Sequence, residues 1–246
     1  MAGQCSGYQR PRDQVELVWG RGWEVLIVLD ACRYDYFTSL NFFDGELLPA
    51  HSPASCTVDW LRSVFPGRYD LTYVSATPMV NSRGVPVYGY RASDHFRRIV
   101  DVWDFGWDEE LGTVPPWEVN EAALRNVDDR MVIHYLQPHG PYIGSVRLTV
   151  RGQRRASPSH PFAPDLAVVE LVRRGAVGLE LLRAAYRENL RLALRYVEEL
   201  VGRLPHKRIV VTSDHGELLG EGGRFLHPCG LDVRELRVVP WLEVAL

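Results

Sequence analysis

The chain of 246 residues has the length of one large domain and is long enough to bury a core. Hydrophobic residues make up 46% of it and charged residues 24%, which is ordinary for a soluble globular protein. The formal net charge of −3 gives no general affinity for nucleic acid or for an anionic membrane surface, so neither is an expected partner.

The N-terminal residues and the cysteines bear on the compartment. Residues 1–23 are polar and lack the apolar centre of a secretory signal. No stretch reaches the ~18 consecutive apolar residues of a transmembrane helix. Cys5, Cys32, Cys56 and Cys229 are widely separated and show neither zinc-finger nor CxxC spacing. We therefore expect reduced thiols in a cytoplasmic protein that has no membrane span.

Short apolar runs that end in polar residues predict the strands. The runs at 24–29, 71–75, 131–136 and 208–212 are rich in β-branched residues, as in strands buried on both faces. A proline in the last run, 236–244, favours an edge strand. Helical patterns alternate with these runs, which predicts a three-layer α/β/α sandwich with a mostly parallel central sheet.

The helical segments complete the predicted domain. Short helices are expected from Arg33 and from Thr57, the second ending at Pro66-Gly67, and longer helical patterns lie at 120–127 and 166–204. We expect a single domain spanning 1–246. Its excursions are predicted near 82–116, which is turn-rich and aromatic, and near 144–165, which is polar and basic like a lid.

Acidic residues follow two of the buried runs. Asp30 comes after the run at 24–29, where an unpaired carboxylate would be costly. Asp214 and His215 come after the run at 208–212 and combine a hard with a borderline metal ligand. Ligands of open α/β sheets bind outside the carboxyl ends of the strands, so all three are candidate site residues. The alternative is that each aspartate caps a helix.

Three histidines are further candidates. His134 and His139 lie five residues apart at the end of the run at 131–136, a position that suits metal or oxyanion binding. His227 follows the flexible residues 220–223 and is another possible ligand. For each of them the alternative is an ordinary structural histidine.

Three potential nucleophiles are consecutive where a loop enters a helix, at Ser55, Cys56 and Thr57. A helix N-terminus favours anions and lowers the cost of an alkoxide or thiolate. An ordinary Ser or Thr N-cap is the commoner explanation for such residues.

The order of these residues resembles the alkaline phosphatase superfamily. Asp30, Thr57, His139 within Pro-His-Gly-Pro-Tyr, and Asp214-His215 follow one another as the motifs of that superfamily do. The sulfatase-like branch is the most similar, with further similarity to phosphodiesterases and phosphoethanolamine transferases. The resemblance spans roughly residues 24–244 and implies an alkaline-phosphatase-like fold.

Spacing identifies which of the three potential nucleophiles matches the family. In sulfatases a Gly and a Tyr lie ten and twelve residues beyond the nucleophile, and Gly67 and Tyr69 lie ten and twelve residues beyond Thr57. The sulfatase signal Cys/Ser-x-Pro-x-Arg is absent, since Asp59 and Leu61 replace its Pro and Arg. Thr57 instead resembles the nucleophile of phosphodiesterases and phosphoethanolamine transferases.

The resemblance also bears on the metal. Ala31 stands where sulfatases carry the second Asp of their calcium site, and His215 stands where they carry Asn. An Asp-His pair beside Thr57 suits zinc or manganese better than calcium. We expect one ion held by Asp30, Thr57, Asp214 and His215, with a second ion possible.

The implied function is a metal-dependent hydrolase or transferase of phosphate mono- or diesters with Thr57 as nucleophile and His139 as the other catalytic residue. The expected substrate is a small-molecule, lipid-type or nucleotide-type phosphate ester. The alternatives are a sulfatase of the same fold, a non-catalytic binding protein, and residues that never meet in space. Tentative assignments are His227 and His134 at a second metal, and substrate contacts from Arg33, Asn81 and Thr77.

Overall fold

The computed structural model describes residues 10–149, 155–160 and 165–246. Its strands are β1 (Arg12–Asp13), β2 (Val25–Leu29), β3 (Gly45–His51), β4 (Tyr69–Ser75), β5 (Phe96–Asp101), β6 (Met131–Tyr135), β7 (Ile209–Thr212), β8 (Leu218–Leu219), β9 (Phe225–Leu226) and β10 (Val238–Val244). Its helices are α1 (Gln14–Gly20), α2 (Tyr34–Leu40), α3 (Thr57–Val64), α4 (Val102–Phe105), α5 (Pro116–Arg125), α6 (Asp165–Arg173), α7 (Leu179–Arg203) and α8 (Arg234–Arg237).

An eight-stranded sheet runs through the centre in the order β1-β3-β10-β7-β2-β6-β4-β5. β7, β2, β6, β4 and β5 are parallel to one another, whereas β10 is antiparallel to both of its neighbours. β8 and β9 form a separate antiparallel pair. The predicted mostly parallel sheet is therefore confirmed.

Two hydrophobic clusters cover the two faces of this sheet. In β2, Ile27 belongs to one cluster and Leu26 to the other, because successive side chains of a strand point to opposite faces. Leu194 of α7 packs in the first cluster, and Trp60 of α3 packs in the second. Burial on both faces explains why the run at 24–29 is apolar without alternation, and the three layers are as predicted.

β10 corrects the prediction of an edge strand at 236–244. It lies between β3 and β7 inside the sheet. Pro240 pairs with Pro49 of β3, so the N–H groups that both prolines lack fall at the same position of the ladder. On the other side, the Thr212 hydroxyl donates to the Pro240 carbonyl at 2.7 Å. An interior proline is tolerated here because its neighbours do not depend on its missing donor.

Five of the ten strands were not predicted, namely the two-residue strands β1, β8 and β9 and the longer β3 and β5. β3 precedes the candidate nucleophiles, and β5 lies within the predicted excursion at 82–116, where it pairs with β4 at the sheet edge. Arg97 and Arg98 of β5 are exposed, which hides the apolar pattern of a strand. Residues 150–154 and 161–164 of the excursion predicted at 144–165 lie outside the described part of the chain.

The predicted helices are present, whereas α1, α4 and α8 were not predicted. α6 and α7 occupy the stretch predicted at 166–204, and the helix predicted at 120–127 is α5, which begins earlier, at Pro116, a residue suited to the first turn of a helix. α2 begins after Arg33 and α3 begins at Thr57. None of the helices in the described ranges combines the length and the apolar character needed to cross a bilayer.

Candidate active site

The carboxyl ends of parallel neighbouring strands bring the candidate residues together. Asp30 follows β2 and Asp214 follows β7, and these strands pair in parallel register. The backbone N–H of Ala31 donates to Asp214 Oδ1 at 3.1 Å, and that of His215 donates to the same oxygen at 2.9 Å. Ala31 has a φ of 58°, an unusual value for a residue other than glycine. One oxygen of Asp214 is thus fixed by the backbone and the other is left for the site.

Thr57, Asp30, Asp214 and His215 form one buried group. The Nε2 atom of His215 lies 3.2 Å from Asp214 Oδ2 and 3.7 Å from Asp30 Oδ1. The Thr57 hydroxyl lies 3.3 Å from the same Nε2. Each of the four residues is at most 5% exposed. The residues predicted to hold one metal therefore do meet in space.

His134 joins this group from the neighbouring strand β6. Its Nε2 atom lies 3.9 Å from Asp30 Oδ2 and 4.0 Å from Asp214 Oδ2. Its Nδ1 shares a 2.8 Å hydrogen bond with the Tyr73 hydroxyl. The tentative assignment of His134 to a second metal with His227 is corrected, because the structure groups it with the two carboxylates. A residue within the strand thus contributes to the site, as do the residues that follow the strand ends.

A second group lies beside the first. His139 Nε2 and His227 Nε2 are 2.9 Å apart and share a hydrogen bond. Glu217 offers a carboxylate oxygen within 4.8 Å of these imidazoles. The rings of His227 and His215 stack with their centroids 4.3 Å apart, which connects the two groups. Glu217 was not predicted from the sequence, although its position two residues after His215 was a usable signal.

Burial controls the protonation of these histidines. Burial lowers the pKa of His134 to about 4, although the Asp214 charge opposes the shift. Burial likewise lowers the pKa of His215 against the opposing charge of Asp214. The pKa of His227 lies well below its ordinary value because its ring is desolvated and faces His215 and His139. Neutral imidazoles at neutral pH are available as metal ligands or hydrogen-bond partners.

The Asp214 carboxylate stays ionised in the same surroundings. Burial by itself would raise the pKa of Asp214, but the positive charges that His215 and His134 carry when protonated and a hydrogen bond from Thr57 outweigh burial and lower it. A buried anion that remains charged needs compensation, and a cation is the most direct form of it.

A disulfide ties the nucleophile to the second group. Cys56, the N-cap residue directly before Thr57, is bonded to Cys229, two residues after His227. The expectation of reduced thiols is therefore wrong for these two cysteines. Cys32 is free and buried, and Cys5 lies outside the described residues. Scattered spacing in the sequence did not reveal the pair because 173 residues separate its members.

The three tentative substrate contacts have different positions. Thr77 lines a small cavity of about 40 Å³ that Asp30, Thr57, His139 and His227 also line. Arg33 and Asn81 do not line it, and their assignment as substrate contacts stays a prediction.

Both of these side chains have partners within the protein. The Arg33 guanidinium is paired with Asp35 at 2.7 Å and with Glu221 at 2.6 Å. The Asn81 amide donates to the backbone carbonyl of Val85 at 2.9 Å and accepts from the backbone N–H of the same residue. Each side chain is held by neighbours close to the site and supports a loop.

Comparison with known proteins gives structural matches only. No protein-family model matches the chain, and no curated protein sequence matches it. The soluble domain of lipooligosaccharide phosphoethanolamine transferase A from Neisseria meningitidis superposes with a TM-score of 0.55 at 14% identity, covering 98% of this chain and 79% of that one. The C-terminal periplasmic domain of EcEptC from Escherichia coli gives 0.53 at 10% identity, covering 98% and 74%.

The integral membrane form of the Neisseria meningitidis transferase gives a TM-score of 0.53 at 14% identity. The match covers 98% of this chain, which spans about half of that protein, since 49% of it is covered. At these identities the similarity shows a shared fold. The predicted alkaline-phosphatase-like architecture is thereby confirmed: this chain has the fold of the soluble domains of these transferases.

Proposed function

We propose that this protein is a metal-dependent hydrolase or transferase of phosphate esters that uses Thr57 as its nucleophile. The observation that carries the proposal is the convergence of the Thr57 hydroxyl, the Asp30 and Asp214 carboxylates and the His215 imidazole at one edge of the sheet. These groups come from three separate parts of the chain and are all buried. Helix capping explains none of this convergence, because Cys56 rather than Thr57 is the N-cap residue of α3.

The residues present fit a divalent cation. Asp214 Oδ2 and His134 Nε2 are buried and have no hydrogen-bond partner within the described residues, which is costly without a further ligand. Asp30, Asp214 and His215 would hold the ion, with the Thr57 hydroxyl beside it. Carboxylate and imidazole ligands together suit zinc or manganese. A bound ion of this kind lowers the pKa of a neighbouring hydroxyl and stabilises charge on a phosphoryl group.

The side chains of this protein supply the remaining steps. Thr57 sits at the first turn of α3, where the helix dipole favours an anionic phosphoryl group. Its oxygen forms the new bond to phosphorus as the ester P–O bond breaks, and its hydroxyl proton passes to an imidazole of the His139–His227 pair, whose rings share one hydrogen bond. The imidazolium formed in this way gives the same proton to the departing oxygen. Water or an alcohol then attacks the phospho-threonine, which yields hydrolysis or transfer respectively.

The substrate class is part of the proposal. The name of the superposed Neisseria meningitidis transferase refers to lipooligosaccharide and phosphoethanolamine, and that name describes the transferase alone. For this chain we propose a small-molecule or lipid-type phosphate ester that reaches Thr57 through the cavity lined by Thr77 and His139. The net charge of −3 gives no reason to propose a nucleic acid.

The compartment is also a proposal. The cytoplasmic expectation depended in part on reduced thiols, whereas Cys56 and Cys229 form a disulfide. Disulfides persist in oxidising compartments and in the cytoplasm of hyperthermophiles. We propose that the protein works in one of these two settings. Alkylation of free thiols in freshly lysed source cells tests this proposal. In either setting Cys56 and Cys229 should stay unlabelled, whereas in a reducing cytoplasm both would be labelled.

Activity assays test the proposed function. We expect metal-freed protein to regain hydrolysis of p-nitrophenyl phosphate or bis(p-nitrophenyl) phosphate when zinc or manganese is added. Thr57→Ala should lower kcat by at least about 10³-fold, because a nucleophile has no substitute in its covalent step. Thr57→Ser, which keeps the hydroxyl, should retain measurable activity. Full metal-dependent activity in Thr57→Ala would contradict the proposal, and a preference for p-nitrophenyl sulfate would favour a sulfatase.

A further inference from the structure

A second, larger cavity opens beside Thr57. It has a volume of about 670 Å³, compared with about 40 Å³ for the small cavity between Asp30 and His139. Thr57, Met79 and His227 line both cavities, so the two meet at the nucleophile. We call the larger one the apolar cleft.

Apolar side chains line the apolar cleft together with the charged side chains of Asp59, Arg62 and Arg173. Its apolar part is formed by Met79, Tyr88, Phe225, Leu226 and Val58, the residue after Thr57. Tyr88 is 56% exposed and Phe225 is half-buried. Exposed apolar side chains grouped around a concave surface are characteristic of ligand sites. None of these residues has a role in the chemistry proposed for Thr57.

We propose that the apolar cleft binds a hydrocarbon substituent of the substrate while the phosphoryl group lies in the small cavity. The substrate is then a phosphodiester that carries one bulky apolar alcohol. This inference depends on the proposed function and specifies its substrate. The geometry supports it because the two cavities share Thr57, so one molecule can occupy both with its phosphorus at the hydroxyl.

Backbone conformation indicates that the cleft is a built feature. Among the described residues other than glycine, Ala31, Tyr88 and Leu226 have a positive φ. Ala31 is the residue after Asp30, and the other two line the apolar cleft. Such conformations cost about 1–3 kcal/mol each and cluster at ligand sites, where the surroundings fix them. Here Arg62 donates to the Tyr88 carbonyl, and Leu226 pairs with Leu218 of β8.

The disulfide completes one wall. Cys56 and Cys229 both line the apolar cleft, and their disulfide joins the N-terminus of α3 to the segment after β9. Arg173 also lines the cleft, with its guanidinium 6.0 Å from the centroid of the Phe225 ring, while Arg62 is paired with Asp59 at 2.8 Å. The Arg173 cation beside apolar side chains suits an anionic diester better than a neutral lipid.

A series of diesters with one leaving group tests the proposal. We compare methyl p-nitrophenyl phosphate with octyl p-nitrophenyl phosphate, with zinc or manganese present. Burial of the octyl chain in the apolar cleft should raise kcat/KM by about 10- to 100-fold over the methyl ester. Both esters release the same phenolate, so a difference reports on the alkyl group.

Variants locate the effect. Phe225→Ala removes one wall, and Tyr88→Gly removes another while a positive φ remains acceptable. Each should lower the octyl-to-methyl ratio by at least about 5-fold. Phe42→Ala is the matched control, because Phe42 is 48% exposed and does not line the cleft. It should keep the wild-type ratio. A wild-type ratio below about 2, or a ratio unchanged in both variants, overturns the proposal.

Direct binding separates this inference from the proposed function. Calorimetry with octyl phosphonate measures the apolar cleft without turnover. If no ester is hydrolysed, but octyl phosphonate binds and Phe225→Ala weakens that binding, the cleft proposal is supported and the proposed function is contradicted. If esters are hydrolysed without any chain-length dependence, the proposed function stands and the cleft proposal fails. If octyl phosphonate does not bind and no ester is hydrolysed, both fail.

Discussion

Asp214 shows how one residue acquires its role from the chain around it. Two backbone N–H groups fix one of its oxygens, and the imidazoles of His134 and His215 lower its pKa despite its burial. An aspartate in a helix cap would have the first feature and lack the second. The surrounding imidazoles, more than the carboxylate itself, therefore distinguish a metal site from a helix cap.

Arg33 gives a residue-scale prediction. It is 7% exposed and its guanidinium is held by Asp35 and Glu221. Burial would raise the pKa of Glu221, but the hydrogen bond and charge of Arg33 outweigh burial and lower it below 4.5. A lowered folded-state pKa means that the pair contributes stability above the unfolded value and loses it as the pH falls through the folded value.

Glu221→Gln should therefore lower the free energy of unfolding by about 1–2 kcal/mol at neutral pH, less than a fully buried pair would lose because Glu221 is partly exposed. The deficit should shrink well below pH 4.5, where the wild-type carboxylate is also protonated. Urea unfolding at neutral pH and at a pH well below 4.5 measures this difference in the free energy of unfolding. An equal difference at the two pH values would show that the charge of Glu221 does not contribute to stability.

The residue-level site was predictable in part. Asp30, Asp214 and His215 could be found because each follows an apolar run, and Thr57 because of its distance from Gly67 and Tyr69. The roles of His134, Arg33 and Glu217 could not be found in this way. Their partners come from distant segments, as Tyr73 does for His134, and no local pattern encodes such a pairing.

At the scale of elements, the loop after β7 depends on close backbone packing. Gly216 N–H donates to the Leu236 carbonyl at 2.8 Å, and a Cβ at Gly216 would lie 1.9 Å from the Glu235 carbonyl oxygen. The loop that carries Asp214 and His215 can therefore approach α8 only with glycine at this position.

Gly216→Ala should lower the free energy of unfolding by about 1–3 kcal/mol, because the added methyl forces the loop away from α8. Zinc affinity should fall with it, since Asp214 and His215 move with the loop. Gly202→Ala is the matched control: it lies near the end of α7, a Cβ added there would meet nothing within 4 Å, and it should be neutral or stabilising by up to about 1 kcal/mol. Equal effects of the two substitutions would contradict this account.

The disulfide between α3 and the segment after β9 gives a second prediction at this scale. Removal of a disulfide that closes so long a loop should cost about 2–5 kcal/mol. The double substitution Cys56→Ser with Cys229→Ser should lower the melting temperature and kcat together, because it releases both Thr57 and His227. Reductant should have the same effect on the wild type and none on the double variant. Unchanged kinetics after complete reduction would show that the bond is not needed at the site.

Elements were predictable where burial leaves a simple pattern. β2, β6 and β7 are buried throughout and stand out as apolar runs. β5 lies at the sheet edge and contains two exposed arginines, so its sequence does not stand out as an apolar run. The proline rule failed for β10 because the rule concerns one strand, whereas tolerance of Pro240 depends on Pro49 in the neighbouring strand.

At the scale of the whole molecule, the order of the strands creates the site. β2 lies between β7 and β6, so Asp30 stands between Asp214 and the end of β6 although long stretches of chain separate these segments in sequence. A parallel sheet places all these strand ends at one edge. The type of fold was predictable from alternating patterns, but the strand order was not, because no local pattern records which strands pair.

The central claim is that Thr57 becomes covalently bonded to phosphorus during turnover. Metal-loaded protein reacting with bis(p-nitrophenyl) phosphate, quenched in acid and mapped by peptide mass spectrometry, tests it directly. We predict a phosphoryl-type adduct on the peptide that contains Thr57, present in the wild type and absent in Thr57→Ala. Rapid turnover by the wild type with no adduct at Thr57, together with undiminished activity in Thr57→Ala, would contradict the account.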